Sequence, residues 1–240
     1  MDRLPNSKHF DSTFKDLREL ELFQAMSGEN FERLMQGAYL QTFPPQVDLI
    51  AEGERSDFLH IVLAGSVELY AQWNNRETSM ATVRPTSTFI LAATVKDAPN
   101  LMSARTLEKS RIVLIPSPDI RAVFDLDCGF ARAVVQELAQ CYRSVIKNTK
   151  DLKFRTSIER LANYLLREQK RQNGQAQFTL PFDKKRLASL LAMRPENLSR
   201  AFRQLQDFGV QTQGARVEIQ HQADLEALAK PSPLIDDPAS

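Results

Sequence analysis

The spacing of apolar residues changes near Asp119, and that change limits the folds open to this chain more than any other feature. Between residues 41 and 116 the apolar residues form short alternating runs broken by turn-formers, the texture of a small all-β domain. FLHIVLAGSVELYAQW is the clearest stretch. Residues 58–63 and 66–73 are β-rich runs joined through Ala-Gly-Ser, and Asn74-Asn75 turns the chain into ETSMATVR. SRIVLIP supplies a last strand, which Pro116 ends. Past Asp119 the residues Val134, Leu138, Cys141, Val145, Asn148 and Leu152 are spaced 4, 3, 4, 3, 4, a heptad seam. The expectation is one dimerisation helix over residues 119–152, with Asn148 a polar register-setter. Val135, Tyr142 and Ile146 form a second stripe that would brace the helix against its own β domain. Ahead of the β region, residues 14–40 read as short amphipathic helices carrying Leu17, Leu20, Phe23, Phe31, Leu34 and Met35.

Beyond the heptads the pattern is helical again. A helix over residues 158–171 is broken by QNGQA and followed by a short strand, QFTLPF. FDKKRLASLLAMRPENLSRAFRQLQDFGV then holds two helical patterns joined by about three residues. Asp183 is the expected N-cap of the first. Pro195 suits the first turn of the second, where its missing N–H costs nothing, and Gly209 suits its end. Ala188 is small enough for a close crossing. The pair predicts a helix-turn-helix, and VQTQGARVEI predicts a hairpin wing turning at Gly214-Ala215.

Charge supports that placement. The chain carries 31 Lys and Arg against 30 Asp and Glu, yet residues 152–216 hold 13 against 5. Local basic density, rather than total charge, is what attracts a polyanion. On the second helix Leu198, Ala201 and Phe202 share one face, and Glu196, Ser199, Arg200 and Arg203 the other. Arg can bind guanine O6 and N7, Glu can accept from cytosine N4–H, and Ser can meet a base edge or a phosphate. Glu196, Ser199 and Arg200 are therefore the candidate base readers. Lys184, Lys185, Arg194 and Arg203 are the candidate phosphate contacts.

A β-roll, a long dimer helix and a winged helix-turn-helix, in that order, resemble the CRP/FNR superfamily of bacterial transcription regulators. The recognition motif Glu-x-x-Ser-Arg, present as Glu196, Ser199 and Arg200, resembles the FNR-type branch. The resemblance implies an α+β chain: an N-terminal double-stranded β-helix, a cyclic-nucleotide-binding-like jelly roll, over residues 1–118, the dimer helix over 119–152 and the DNA-binding domain over 153–230. It implies a homodimer on a palindromic, TTGAT-like double-stranded DNA site, with Glu and Arg sharing the G·C pair, and RNA polymerase as a further partner. Ala192 stands where this turn usually has Gly. The Pro-rich, acidic residues 231–240 are expected to be a disordered tail.

The sensor is harder to read. The superfamily's cyclic-nucleotide loop falls on Leu91-Ala92-Ala93-Thr94-Val95 and its second pair on Met102-Ser103. The glutamate and arginine of the cAMP-binding members are both missing, and a phosphate buried without Arg would keep an uncompensated charge. Four cysteines for an iron–sulfur cluster are missing too, because the first cysteine is Cys128. His60, Phe89, Leu91, Ala92, Met102 and Ser103 are the candidate effector pocket, in an apolar setting where a haem and a redox, oxygen or nitric-oxide signal are conceivable. No metal site, paired carboxylates or nucleophile–base pair stands out, so an enzyme is not expected. The rival class is a small-molecule-binding sensor module whose C-terminal domain contacts protein. Two cysteines, a polar N-terminus and the lack of a long apolar run predict a cytoplasmic chain with no membrane association.

Overall fold

The computed structural model describes residues 15–181 and 183–237. The chain forms two compact units, Met1–Gln140 and Cys141–Ser240. Among the described residues no helix is long and apolar enough to cross a membrane.

After a helical stretch at residues 15–18, the first unit has two short helices, α1 (Glu21–Gln24) and α2 (Gly28–Gly37). Ser27 caps α2 by accepting from the Asn30 backbone N–H at 3.3 Å. Eight strands follow: β1 (Tyr39–Phe43), β2 (Asp48–Ile50), β3 (Phe58–Ala64), β4 (Val67–Trp73), β5 (Arg76–Val83), β6 (Ser87–Phe89), β7 (Ser103–Thr106) and β8 (Ser110–Pro116). They pair antiparallel into two four-stranded sheets, ordered β1-β8-β3-β6 and β2-β7-β4-β5. This is the expected jelly roll. Trp73 pairs with Arg76 across Asn74 and Asn75, whose φ values of 48° and 61° make the tight hairpin turn that fits the twist of the strands. Gly65 turns β3 into β4 at φ +83°, with the Lys109 carbonyl so close that a Cβ would collide with it.

Alternation along the central strands divides two cores. Leu59 and Ile61 of β3, with Val113 and Ile115 of β8, pack outward against Phe23, Leu34 and Phe130. Val62, Ile112 and Leu114 point the other way and meet Val67, Leu69, Phe89 and Ala104 inside the roll. The outer core is completed by the helices after β8.

Those helices correct the expected single helix over residues 119–152. There are two, α4 (Ser117–Leu126) and α5 (Cys128–Phe154), with α3 (Leu91–Lys96) lying earlier in the chain. Asp127 separates them in an extended conformation, φ −116° and ψ 101°. Its buried carboxylate accepts from the Phe130 N–H, the Ser27 N–H and the Asn30 amide, each at 2.9 Å. The bond from Asn30 and the other two hold the carboxyl well below the usual carboxylate range. Gly129 belongs to the same join, since a Cβ there would strike the Ala25 carbonyl.

Starting α5 at Asp127 fixes which face of the helix goes inward, and it removes Val134 from the expected seam. Val134 is completely buried in its own unit's core, whereas Val135 beside it is 59% exposed. Leu138 is half-buried against the same core. Cys141, Val145, Asn148 and Leu152 are exposed. Val135, Tyr142 and Ile146, the stripe expected to brace the β domain, are all exposed. Neither Cys128 nor Cys141 forms a disulfide.

In the second unit, α6 (Ser157–Arg171) opens on a capping box between Thr156 and Glu159. The helix pair follows as α7 (Lys184–Leu190) and α8 (Pro195–Leu205). Strands β9 (Gln177–Thr179), β10 (Val210–Gln213) and β11 (Arg216–Ile219) form one sheet ordered β10-β11-β9. Two more helices, α9 (Gln222–Ala229) and α10 (Pro233–Asp236), end the described chain. Leu161, Leu165, Leu187, Leu198, Phe202, Leu205 and Val217 are the centre of the core. The expected disordered tail is corrected over residues 231–237, where Asp236 is held by two arginines; residues 238–240 lie outside the described ones.

Replacing Asp127 by Ala removes three hydrogen bonds to one buried carboxylate. Chemical denaturation should show a loss of about 2–3 kcal/mol, as for charge-assisted bonds. A loss below about 0.5 kcal/mol, the ordinary size of a surface change, would show that the cap is not what joins α4 to α5.

Candidate nucleic-acid interface and sensor core

Local chemistry builds the helix pair as the sequence predicts. Asp183 caps α7, its carboxylate accepting from the Arg186 N–H at 2.8 Å. Pro195 occupies the first turn of α8, and Arg194 precedes it at the N-cap position in an extended conformation, without a side-chain cap bond. The turn between the helices is closed by the Met193 N–H donating to the Ala188 carbonyl at 2.8 Å. Ala192 sits there at φ +50°, the left-handed region, so this non-glycine residue carries a strain of about 1 kcal/mol. Gly209, at φ +76°, follows a short 3-10 turn (Gln206–Phe208) that extends α8 before the wing.

Leu198, Ala201, Phe202 and Leu205 of α8 are buried, which turns Glu196, Arg200 and Arg203 directly outward along an exposed line. Ser199 lies at the edge of that line, half-buried, and its hydroxyl donates to the Pro195 carbonyl at 3.0 Å. Its proton is thereby engaged, and its oxygen lone pairs are what it can offer a partner. Arg194, Lys184 and Lys185 are exposed around the start of the two helices. Lys184 stands with its ammonium 5.6 Å from the centroid of the Phe202 ring. Both the positive end of the α8 dipole and these cations favour an anion there. Arg216 was not singled out from the sequence; it is exposed at the foot of the wing, paired across the turn with Gln213. Its signal is its place beside the Gly214-Ala215 turn, on the hairpin that follows α8.

The sensor core is less coherent than expected. His60 is buried inside the roll, its ring stacked on Phe89 at 4.8 Å and its Nδ1 bonded to the Phe58 carbonyl at 3.0 Å. Burial pushes its pKa down from 6.5 to about 4, with the Phe58 bond opposing the shift. Phe89 is in the roll interior and Met102 packs against it. Leu91 instead joins the outer core, and Ala92 is exposed. Ser103 points away, its oxygen accepting from the Glu52 N–H at 3.0 Å. The six candidate pocket residues therefore do not line one space, because β7 alternates and α3 leads the chain out of the roll. Between Phe89 and Leu91, Ile90 takes φ +58°, a costly conformation for a β-branched residue.

Two family models match this sequence. The cyclic nucleotide-binding domain matches residues 40–127 and the Crp-like helix-turn-helix domain residues 159–228. Together they take in about two thirds of the chain. It belongs to the CRP/FNR superfamily of regulators. Solved structures agree with the fold. FixK2 from Bradyrhizobium japonicum superposes with a TM-score of 0.70 at 19% identity, covering 81% of this chain and 98% of that one. A putative crp/fnr-family transcriptional regulator from Eubacterium rectale gives 0.74 at 15% identity, covering 88% and 99%. A putative cAMP-binding regulatory protein from Silicibacter pomeroyi gives 0.60 at 24% identity, covering 92% and 100%. Among curated sequences, the potassium channel KAT1 of Oryza sativa subsp. japonica is 22% identical over 127 residues, 53% of this chain. The chain spans only 18% of that channel's length.

This CRP/FNR regulator departs from the cyclic-nucleotide-binding members where the phosphate would sit. Met102 fills the arginine's place, and Arg105 nearby is engaged by Glu68 at 2.7 Å and by Glu77. The residues present do not fit a cyclic phosphate. Phe89 stacks on one face of the His60 ring and the Phe58 carbonyl engages Nδ1, so Nε2 is the ring nitrogen that would have to serve a haem. Among the described residues no group of three or more His, Cys, Asp or Glu is placed to hold a metal ion.

The buried neutral His60 gives the fold a pH dependence. The unfolded chain takes up the proton from pH 6.5 downward, the folded chain only near pH 4. Stability should fall through that window by at most about 1.4 kcal/mol per pH unit. Urea denaturation of His60→Leu should lose this slope; an unaltered slope would mean that another group carries it.

Proposed function

We propose that this CRP/FNR regulator binds a palindromic, TTGAT-like site on double-stranded DNA as a homodimer, inserting α8 into the major groove. The observation that carries the reading is the uncovered line of Glu196, Arg200 and Arg203 on a helix whose other face is buried. Arg200 donates to guanine O6 and N7, and Glu196 accepts from the paired cytosine amine. Ser199, with its proton engaged by Pro195, accepts from an exocyclic amine or packs on a thymine methyl. Lys184, Lys185, Arg194, Arg203 and Arg216 meet phosphates and set the register of the domain on the duplex. RNA polymerase is the further partner that the superfamily implies.

The homodimer uses a seam different from the one the spacing first suggested. Val135, Leu138, Tyr142, Val145, Thr149 and Leu152 repeat at 3, 4, 3, 4, 3 and follow the outer side of α5. Thr149 fits this stripe because its hydroxyl donates to the Val145 carbonyl at 2.9 Å, leaving its methyl outward. Cys141 and Asn148 flank the seam. In a parallel pair of helices this stripe supplies the a and d positions that interlock. A redox, oxygen or nitric-oxide signal is the input class we favour; it would act through the apolar interior around His60 and Phe89 and alter how α5 seats against the roll.

Arg200→Ala should lower discrimination at the G·C pair by about 1–3 kcal/mol while leaving the salt slope nearly unchanged. Fluorescence anisotropy with TTGAT-type and scrambled duplexes over a salt series measures both. An unchanged ratio of the two affinities would remove Arg200 from the reading set. The seam is tested by sedimentation equilibrium: Tyr142→Asp should yield monomer and Cys141→Asp should leave the dimer largely intact. The opposite pattern would restore the first register.

A further inference from the structure

The last described residues are tied to the junction between the long helix and the DNA-binding helices. That junction is two residues long, Arg155 and Thr156, between α5 and α6. Arg155 is nearly buried, with its side chain 7% exposed, and it spans the joint. One of its nitrogens donates to Asp151 of α5 at 2.8 Å, and its two terminal nitrogens grip Asp236 of α10 at 2.8 and 2.6 Å. Asp236 also accepts from Arg167 of α6 at 2.7 Å and from the Ser232 N–H at 2.7 Å. Its carboxylate is thus fully engaged by groups from the junction, from α6 and from its own segment. The Lys147 ammonium of α5 reaches the Asp237 carbonyl at 2.6 Å. On the other side Arg160 of α6 donates to the Arg155 carbonyl at 2.8 Å and to the Leu191 carbonyl at 3.1 Å, in the turn of the helix pair.

Every backbone direction leaving the junction is therefore held by a charge-assisted bond. A two-residue joint without such bonds could pivot, because few apolar contacts cross it and its two residues carry most of the change in φ and ψ that a hinge needs. We infer that residues 231–237 are a clasp, and that Asp236 and Arg155 are positioning residues that set the angle at which the recognition helix is carried by the long helix. This rests on the DNA-binding reading above. In a dimer that angle fixes the separation of two recognition helices, hence the half-site spacing that both can reach at once. The clasp touches no base and no phosphate; it acts through geometry.

The test uses the full chain and three variants: Asp236→Asn, Asp236→Glu and a chain ended after Lys230. The truncated chain leaves Arg155 its partner Asp151, so it reads the clasp without stranding a buried charge. Hydrogen exchange of amides 154–158 should quicken at least about tenfold in Asp236→Asn and in the truncation, the effect of losing charge-assisted bonds, and return toward the parent rate in Asp236→Glu. Binding is measured on a palindrome and on the same palindrome lengthened by half a helical turn. The parent should prefer the first at least about tenfold, and the two loosened variants should lose most of that preference while keeping their discrimination at the G·C pair. Unchanged exchange at 154–158 overturns the clasp. Faster exchange with the spacing preference intact overturns its positioning role. If the parent binds no palindrome better than scrambled DNA, it is the DNA-binding reading that fails, and the exchange measurement still decides whether the clasp exists.

Discussion

The acceptor bonds of Asp127 set the phase of everything that follows them. By capping α5 and anchoring it to Ser27 and Asn30, this carboxylate fixes where the long helix begins. With 3.6 residues per turn, a helix whose start is fixed has no choice about which side chains face inward. Val134 then closes the outer core and Val135 is left on the surface. Had the helix continued unbroken from α4, both stripes would have rotated and the seam read from the spacing alone could have stood. One buried acid thus decides which residues brace the domain and which are left on the surface.

That dependence explains what the sequence could and could not convey. The helix pair was legible because its signals are local: Asp183 as a cap, Pro195 in a first turn, a buried apolar trio and polar neighbours opposite. The roll was legible for the same reason, through alternation and paired asparagines. The seam was not, because Val134 and Val135 are adjacent, equally apolar and both compatible with a heptad. Only bonds made to Asp127 from residues about a hundred positions earlier distinguish them. The break between α4 and α5 was hidden likewise, since LDCGF contains no proline and its glycine is explained by the Ala25 carbonyl rather than by a turn.

The tail shows the same limit from the opposite direction. Proline and acid content argue for disorder when a segment has nothing to bind. Asp236 has two arginines to bind, each from a part of the chain that composition cannot place beside it. The effector pocket failed for a further reason. Counting along the superfamily loop put Leu91, Ala92 and Ser103 with His60 and Phe89, but Ile90 at φ +58° turns the chain and sends Leu91 to a different core.

A division of labour follows from these placements. The face of α8 proposed to read DNA is open and polar. The roll interior is closed and apolar, and His60 is held neutral there at ordinary pH. With His60 neutral, an input received there would not act through that ring's charge. It has to be transmitted by volume, through side chains such as Phe89 that press on strands whose opposite faces touch α4 and α5. Close-packed cores pass on small displacements because they do not compress. The join at Asp127 ties the start of α5 to the helices of the outer core, so a repacking of the roll would act first on how α5 is seated there.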